Sequence, residues 1–225
     1  MENFVLYLVC FIPPMILALY AQGLVKARYA AAKKRPAPMS GAAAARMILD
    51  SAGLQNVQIE LIPGELSDHY DPRAKVLRLS QDIYHGQSLA AVGIAAHEAG
   101  HAIQDATRYP MMVVRQMAVP MASFGSSAAF WILMAGMIFQ IVPLAMLAVG
   151  LFGVVALFQI INLPVEFNAS TRAKQQLAAL GVVNEQDMVC VRKVLGAAAL
   201  TYVAAMLAAL LQFLYFALRV FGGRD

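Results

Sequence analysis

Three stretches of the chain are apolar and free of charge. Residues 3–25, 116–165 and 194–218 contain no Asp, Glu, Lys, Arg or His. A membrane-crossing helix needs ~20 apolar residues. The first and last stretches each hold one span, and the 50-residue middle stretch holds two. Gln140–Pro143 is the expected hairpin turn between the second and third spans. Pro13-Pro14 is expected to kink the first span, which a bilayer helix tolerates.

Between the first two spans the pattern changes. Pro36 and Pro38 mark a break. Ser40 caps a predicted helix over Ala42–Ser51, with Gly53 as its stop signal. Val57-Gln58-Ile59-Glu60-Leu61 alternates apolar and polar, as a half-buried strand does. Pro63-Gly64 and Asp71-Pro72-Arg73 read as turns. Val76–Leu79 reads as a second strand, and the two strands are expected to form a hairpin or small sheet. Ser88 caps a further helix that runs to about Asp105. After the third span, Pro164 predicts a break. A polar helix then carries Arg172, Lys174 and Gln176 to a stop at Gly181. Asn184 with Asp187 resembles a capping box, and its helix leads into the fourth span.

The expected fold is an α-helical polytopic membrane protein with four transmembrane helices and a small cytoplasmic α+β unit. Residues 1–25 form an anchor helix and residues 26–116 the α+β unit. Residues 117–163 form a transmembrane hairpin and 164–193 a second cytoplasmic segment. Residues 194–218 form the fourth span and 219–225 a tail. The α+β unit is thin for an independent core, so it is expected to lean on the membrane helices.

Composition agrees. Of 225 residues, 60% are hydrophobic and 13% charged, about half the usual charged share. The net charge of +4 is modest, and so little polar surface gives a nucleic-acid partner no support. Membrane lipids are the expected surroundings. Cys10 and Cys190 form no C-x-x-C pair and are expected to be free thiols. A basic cluster, Lys26 to Arg35, follows the first span, the reverse of a cleavable signal peptide. Eleven of the 17 Lys and Arg lie between the first two spans, four between the third and fourth, and two after the last. The positive-inside bias therefore puts both long connections in the cytoplasm and both termini outside the cell membrane.

The chemistry lies in Ala95-Ala96-His97-Glu98-Ala99-Gly100-His101-Ala102. This is H-E-x-x-H on a predicted helix. Histidines four apart share one helix face, so both imidazoles can grip one zinc ion. Glu98 can act as general base toward a water on that metal. Zinc brings such a water's pKa toward ~7. Ala and Gly around the motif are expected to leave room for metal and substrate.

Zinc hydrolases usually supply three protein ligands and keep one position open. Candidates for the third are His69, His85, Asp105 and Glu166. Glu166 is favoured, because a two-span hairpin returns the chain to the side it left. An acid so near a span also needs a partner. The plainer reading makes it a helix-terminal acid favoured by the dipole.

The order H-E-x-x-H, two spans, then Glu166-Phe167-Asn168-Ala169-Ser170 resembles the gluzincin membrane proteases of the prenyl-protease and heat-shock membrane-protease type. Those carry E-F-x-A-D. The stretches Ser67–Arg73, Leu79-Ser80, Tyr84-His85-Gly86 and Ala95–Gln104 more closely resemble the bacterial neutral zinc metallopeptidases of the membrane. The resemblance covers most of the chain. It implies a zincin-like unit, one zinc per chain, His97, His101 and Glu166 as ligands and Glu98 as base. It also implies hydrolysis of a peptide or membrane-protein substrate at the inner face of the membrane. Ser170 stands where the wider group has an aspartate that orients a histidine ligand. That role is expected to pass to Asn168, Asp105 or a backbone carbonyl.

Other residues have two readings. The strand Val76–Ser80 is either an edge that pairs with extended substrate or sheet core. Arg172 is a candidate oxyanion stabiliser, although a juxtamembrane charge or salt-bridge partner explains it more simply. Met111, Met112, Met117 and Met121 are assigned to helix packing ahead of a substrate surface. The small residues Gly125–Ala129 are expected to allow close helix packing. Two other functions compete with the peptidase. One is a non-catalytic scaffold or assembly factor with structural zinc, which would usually bring four protein ligands and no base. The other is an intramembrane protease with its motif inside a span. The charges flanking the motif disfavour it.

Overall fold

The computed structural model describes residues 2–222. Met1 and residues 223–225, with Arg224 and the end of the expected tail, lie outside the described residues. The elements in chain order are α1 (Glu2–Lys33), α2 (Gly41–Ser51), β1 (Gln58–Ile62), β2 (His69–Asp71), β3 (Val76–Ser80) and α3 (Gln81–Tyr84). They continue with α4 (Leu89–Ala106), α5 (Pro110–Ile138), α6 (Val142–Ala179) and α7 (Glu185–Phe221). The chain is mostly helical with one small sheet, and α1, α5, α6 and α7 are long and apolar enough to cross a membrane.

The chain divides into two compact units. One draws on the chain up to Ala21, on Val113–Pro164 and on the chain from Leu200 onward. Its packing is apolar and aromatic. Ala129 and Leu133 of α5 meet Ala145, Ala148 and Phe152 of α6, and Phe152 stacks on Phe216 of α7 at 4.9 Å between ring centroids. Gly125 lies against Leu151 and Val155, as expected of the small residues there. Met117 and Met121 are largely exposed, as are Trp131 and Phe139. The packing role expected of those two methionines is therefore not found. Leaving water is worth roughly 1.5–3 kcal/mol for such a side chain, so this surface suits a lipid environment.

The other unit comprises Gln22–Met112 and Val165–Ala199. Ser40 caps α2, its Oγ accepting from the Ala43 N–H at 3.2 Å, and Ser88 caps α4 through the Ala91 N–H at 3.3 Å. Gly53 follows α2 at a φ of +74°, where glycine alone is unstrained. Asn184 caps α7, its Oδ1 accepting from the Asp187 N–H at 2.8 Å, while the Asp187 carboxylate accepts from the Asn184 side-chain amide at 2.9 Å. The sheet order is β1-β3-β2. β1 and β3 pair in parallel, Gln58 opposite Val76, so they are not a hairpin. The hairpin is β2–β3, antiparallel, with Tyr70 opposite Leu77. Its turn is held by Asp71 Oδ1, which accepts from the Arg73 and Ala74 N–H groups at 2.9 and 3.1 Å. β3 is thus the central strand, and its residues are sheet core rather than an edge.

α4 is buried on nearly every face. Its alanines and glycines are used for close packing. A Cβ on Gly41 of α2 would lie 2.9 Å from the Ala91 carbonyl oxygen, and one on Gly100 would lie 2.6 Å from that of Ala169 in α6. Gly100 therefore does not leave open room beside the motif, as its size had suggested, because the α6 backbone fills it. α6 also runs unbroken through Pro164. An internal proline costs about 3 kcal/mol in a helix, which burial of the apolar Val165 and Ala169 helps to offset.

Candidate metal centre

α4 presents His97 and His101 one turn apart, with ring centroids 4.8 Å apart. α6 presents Glu166. The Gly100–Ala169 contact brings these helices close, and Glu166 lies one turn before Ala169. Glu166 Oε2 is 3.2 Å from His97 Nε2 and 3.4 Å from His101 Nε2. One donor atom from each residue falls within 4.8 Å of the others. A tetrahedral ion with bonds of ~2.0–2.2 Å holds its donors roughly 3.3–3.6 Å apart. Two imidazoles and a carboxylate at 3.2 and 3.4 Å fit one zinc ion. Among the described residues this is the one His/Cys/Asp/Glu group that can hold a metal.

The other acid and histidine candidates lie elsewhere. His69 Nδ1 bonds to the Ser67 carbonyl at 2.8 Å, and His85 is exposed against the Tyr84 ring. Asp105 accepts from the Tyr70 hydroxyl at 2.7 Å and pairs with Lys75. Cys10 and Cys190 are free.

Glu98 is buried, and its Oε2 accepts from the Tyr70 N–H at 3.0 Å. Burial pushes its carboxyl up to about 7, His97 opposes the shift, and Glu166 and Asp68 add to it. Burial likewise raises Asp68, against hydrogen bonds from Ser80. β2 was not foreseen, because a three-residue strand carries no usable periodicity. A main-chain N–H donor such as that of Tyr70 has no side-chain signature either.

Ser170 Oγ lies 3.2 Å from His97 Nδ1, so the residue in the usual aspartate position touches one histidine itself. The partner of the other was missed. Gln104 Oε1 is 3.0 Å from His101 Nδ1. Its Nε2 donates to the Val165 carbonyl at 2.7 Å and to Asn168 Oδ1 at 3.0 Å. Asn168 Oδ1 also accepts from Arg172 Nε at 2.8 Å, so Arg172 is bonded to a side chain of its own helix. The available signal was spacing, since helix residues three apart meet.

Comparison with known proteins agrees with this chemistry. Residues 7–221 match the family described as "Putative neutral zinc metallopeptidase". The chain is 42% identical over 211 residues to the "Putative membrane protease YugP" of Bacillus subtilis (strain 168), covering 93% of this chain and 94% of that one. No solved structure matches significantly. With nearly its whole length matched, the chain belongs to this family of membrane zinc metallopeptidases.

Proposed function

We propose that this peptidase is an endopeptidase cutting peptides or membrane proteins at the cytoplasmic face of the cell membrane. His97, His101 and Glu166 hold the zinc, and Glu98 is the general base. The observation that carries this reading is the meeting of three donors within 4.8 Å beside a buried carboxylate. Three protein ligands leave one position of a tetrahedral ion for the reaction. When bound, zinc supplies a Lewis acid that polarises the scissile carbonyl and acidifies water. Glu98 takes the attacking water's proton and passes it to the departing amine. A buried carboxylate next to the histidines is placed to accept that proton and to return it. The Tyr70 N–H anchors one oxygen of that carboxylate. Ser170 Oγ is placed 3.2 Å from His97 Nδ1; with zinc on Nε2 it would accept from Nδ1–H.

A small sheet packed on the H-E-x-x-H helix supports a zincin-like unit over residues 26–116, completed by 164–193. The lysine and arginine bias supports its cytoplasmic side. The scaffold reading has less support, since structural zinc usually takes four protein ligands and the donor group here has three.

The test uses the full chain purified in detergent. It should carry one zinc per chain and cleave an unfolded protein or membrane-protein substrate. Glu98→Gln should keep the metal and lose ~10²–10⁴-fold in rate. Wild-type cleavage by Glu98→Gln would show that the base lies elsewhere.

A further inference from the structure

We infer that Gln104 is the positioning residue of the metal centre. It holds His101 in the tautomer that can bind zinc through Nε2, and it ties that histidine to the turn of α6 that carries Glu166. The inference rests on the ligand assignment proposed above. It follows from the direction of the hydrogen bonds around a side chain that is 0% exposed.

The direction is fixed at both ends by groups with one role each. The Val165 carbonyl can only accept, and Arg172 Nε can only donate. Val165 O lies 2.7 Å from one end of the Gln104 amide, so that end is the NH2 group. Arg172 Nε lies 2.8 Å from the Asn168 side chain, so the atom there is the oxygen. The second Gln104 N–H therefore also meets an acceptor, Asn168 Oδ1 at 3.0 Å. The amide oxygen is left facing His101 Nδ1 at 3.0 Å. An oxygen there requires Nδ1–H, and a neutral imidazole with Nδ1–H has its lone pair on Nε2. Nε2 is the atom facing Glu166 Oε2 at 3.4 Å. Ser170 imposes no such direction on His97, because a hydroxyl can donate or accept.

The choice of an amide has a physical reason. Metal-bound histidines are usually oriented by carboxylates, but this site already buries Glu98 and Glu166. A third carboxylate in the same low-dielectric space would be repelled by both. Glutamine accepts from the histidine without adding charge. Its two N–H groups also do what a carboxylate cannot, binding the backbone one residue before Glu166 and the side chain two residues after it. One side chain thus sets a histidine ligand on α4 and the carboxylate ligand on α6.

The experiment measures zinc affinity of the full chain in detergent by chelator competition. His101→Ala and Glu166→Ala serve as controls for the ligand assignment. Gln104→Glu keeps the acceptor for His101 and removes both donors. A side chain that only oriented the histidine would bind zinc as tightly or more tightly after this change. The tie to α6 predicts a loss of ~10–100-fold. Gln104→Met, which fills the space without polarity, should lose a similar factor. Asn168→Asp, which keeps the accepting oxygen, should stay within about threefold of wild type. The second readout is the imidazole ¹⁵N spectrum of the metal-free protein, which separates Nδ1–H from Nε2–H tautomers without relying on folding stability. His101 Nδ1 should carry a proton in the wild type, whether or not the facing Glu166 carboxylate also protonates Nε2, and should lose it in Gln104→Met. Wild-type zinc affinity in Gln104→Glu, or an Nε2–H tautomer for His101 in the wild type, would overturn the inference. Undiminished zinc binding in both control variants would instead remove the ligand assignment beneath it.

Discussion

Gly100 lies against the Ala169 backbone, where the two helices that carry the candidate metal donors come together. A Cβ at Gly100 would sit 2.6 Å from the Ala169 carbonyl oxygen, well inside contact distance. The neighbour is backbone, so α6 itself would have to move. Glu166 is one turn away on that helix and would move with it. Gly100→Ala should therefore lower zinc affinity by roughly tenfold or more and destabilise the fold by about 1–3 kcal/mol. Chelator competition and thermal unfolding in detergent measure the two effects. Unchanged affinity would mean that the helix spacing does not set the donor geometry.

Glu166→Ala should lower zinc occupancy and proteolysis together. His69→Ala, His85→Ala and Asp105→Ala should leave zinc bound, because these side chains face Ser67, Tyr84 and the Tyr70–Lys75 pair. Metal analysis of the four purified variants decides it. Retained zinc in Glu166→Ala would exclude the carboxylate as a ligand.

Much of this was readable in the chain because it rests on local rules. The spacing of His97 and His101 specifies a shared helix face, and the caps at Ser40, Ser88 and Asn184 follow from side-chain chemistry. The four long helices follow from charge-free runs. The return of Glu166 toward the histidines could be argued from two spans in between. What was not readable depends on partners distant in sequence. The parallel pairing of β1 with β3 is a tertiary choice that neither strand's pattern encodes. Gly100 looked like empty space because the Ala169 backbone that fills it lies on another helix. Pro164 looked like a break because burial on both sides of it is invisible in one dimension.

The metal-free protein should show a pH dependence set by Glu98. Its ordinary value is 4.5, and burial raises it to about 7 in the fold. Between those values the folded state holds a proton that the unfolded state has released. Stability should therefore fall as pH rises from about 5 to about 7. Glu98→Gln, which cannot ionise, should flatten that slope. Thermal midpoints in chelator at several pH values provide the measurement, and a slope equal in both proteins would assign it to other groups.

Sidedness is testable by labelling. A cysteine placed near Lys34 should be inaccessible to an impermeant thiol reagent on intact cells, and one appended to the C-terminus should be labelled. Cys10 is buried and Cys190 can be replaced by serine to lower background. The opposite pattern would place the metal centre outside the cytoplasm.

The contact between His97 and Glu166 joins positions 69 residues apart, and α5 with most of the apolar part of α6 lies between them. During synthesis both histidines and Glu98 leave the ribosome before the hairpin helices exist. On the proposed ligand assignment, the nascent chain at that stage holds two thirds of a metal site and no working one. The last ligand emerges only after the two middle spans have been made. The enzyme would then gain its hydrolytic power late in its own biogenesis, after the segments that anchor it in the bilayer.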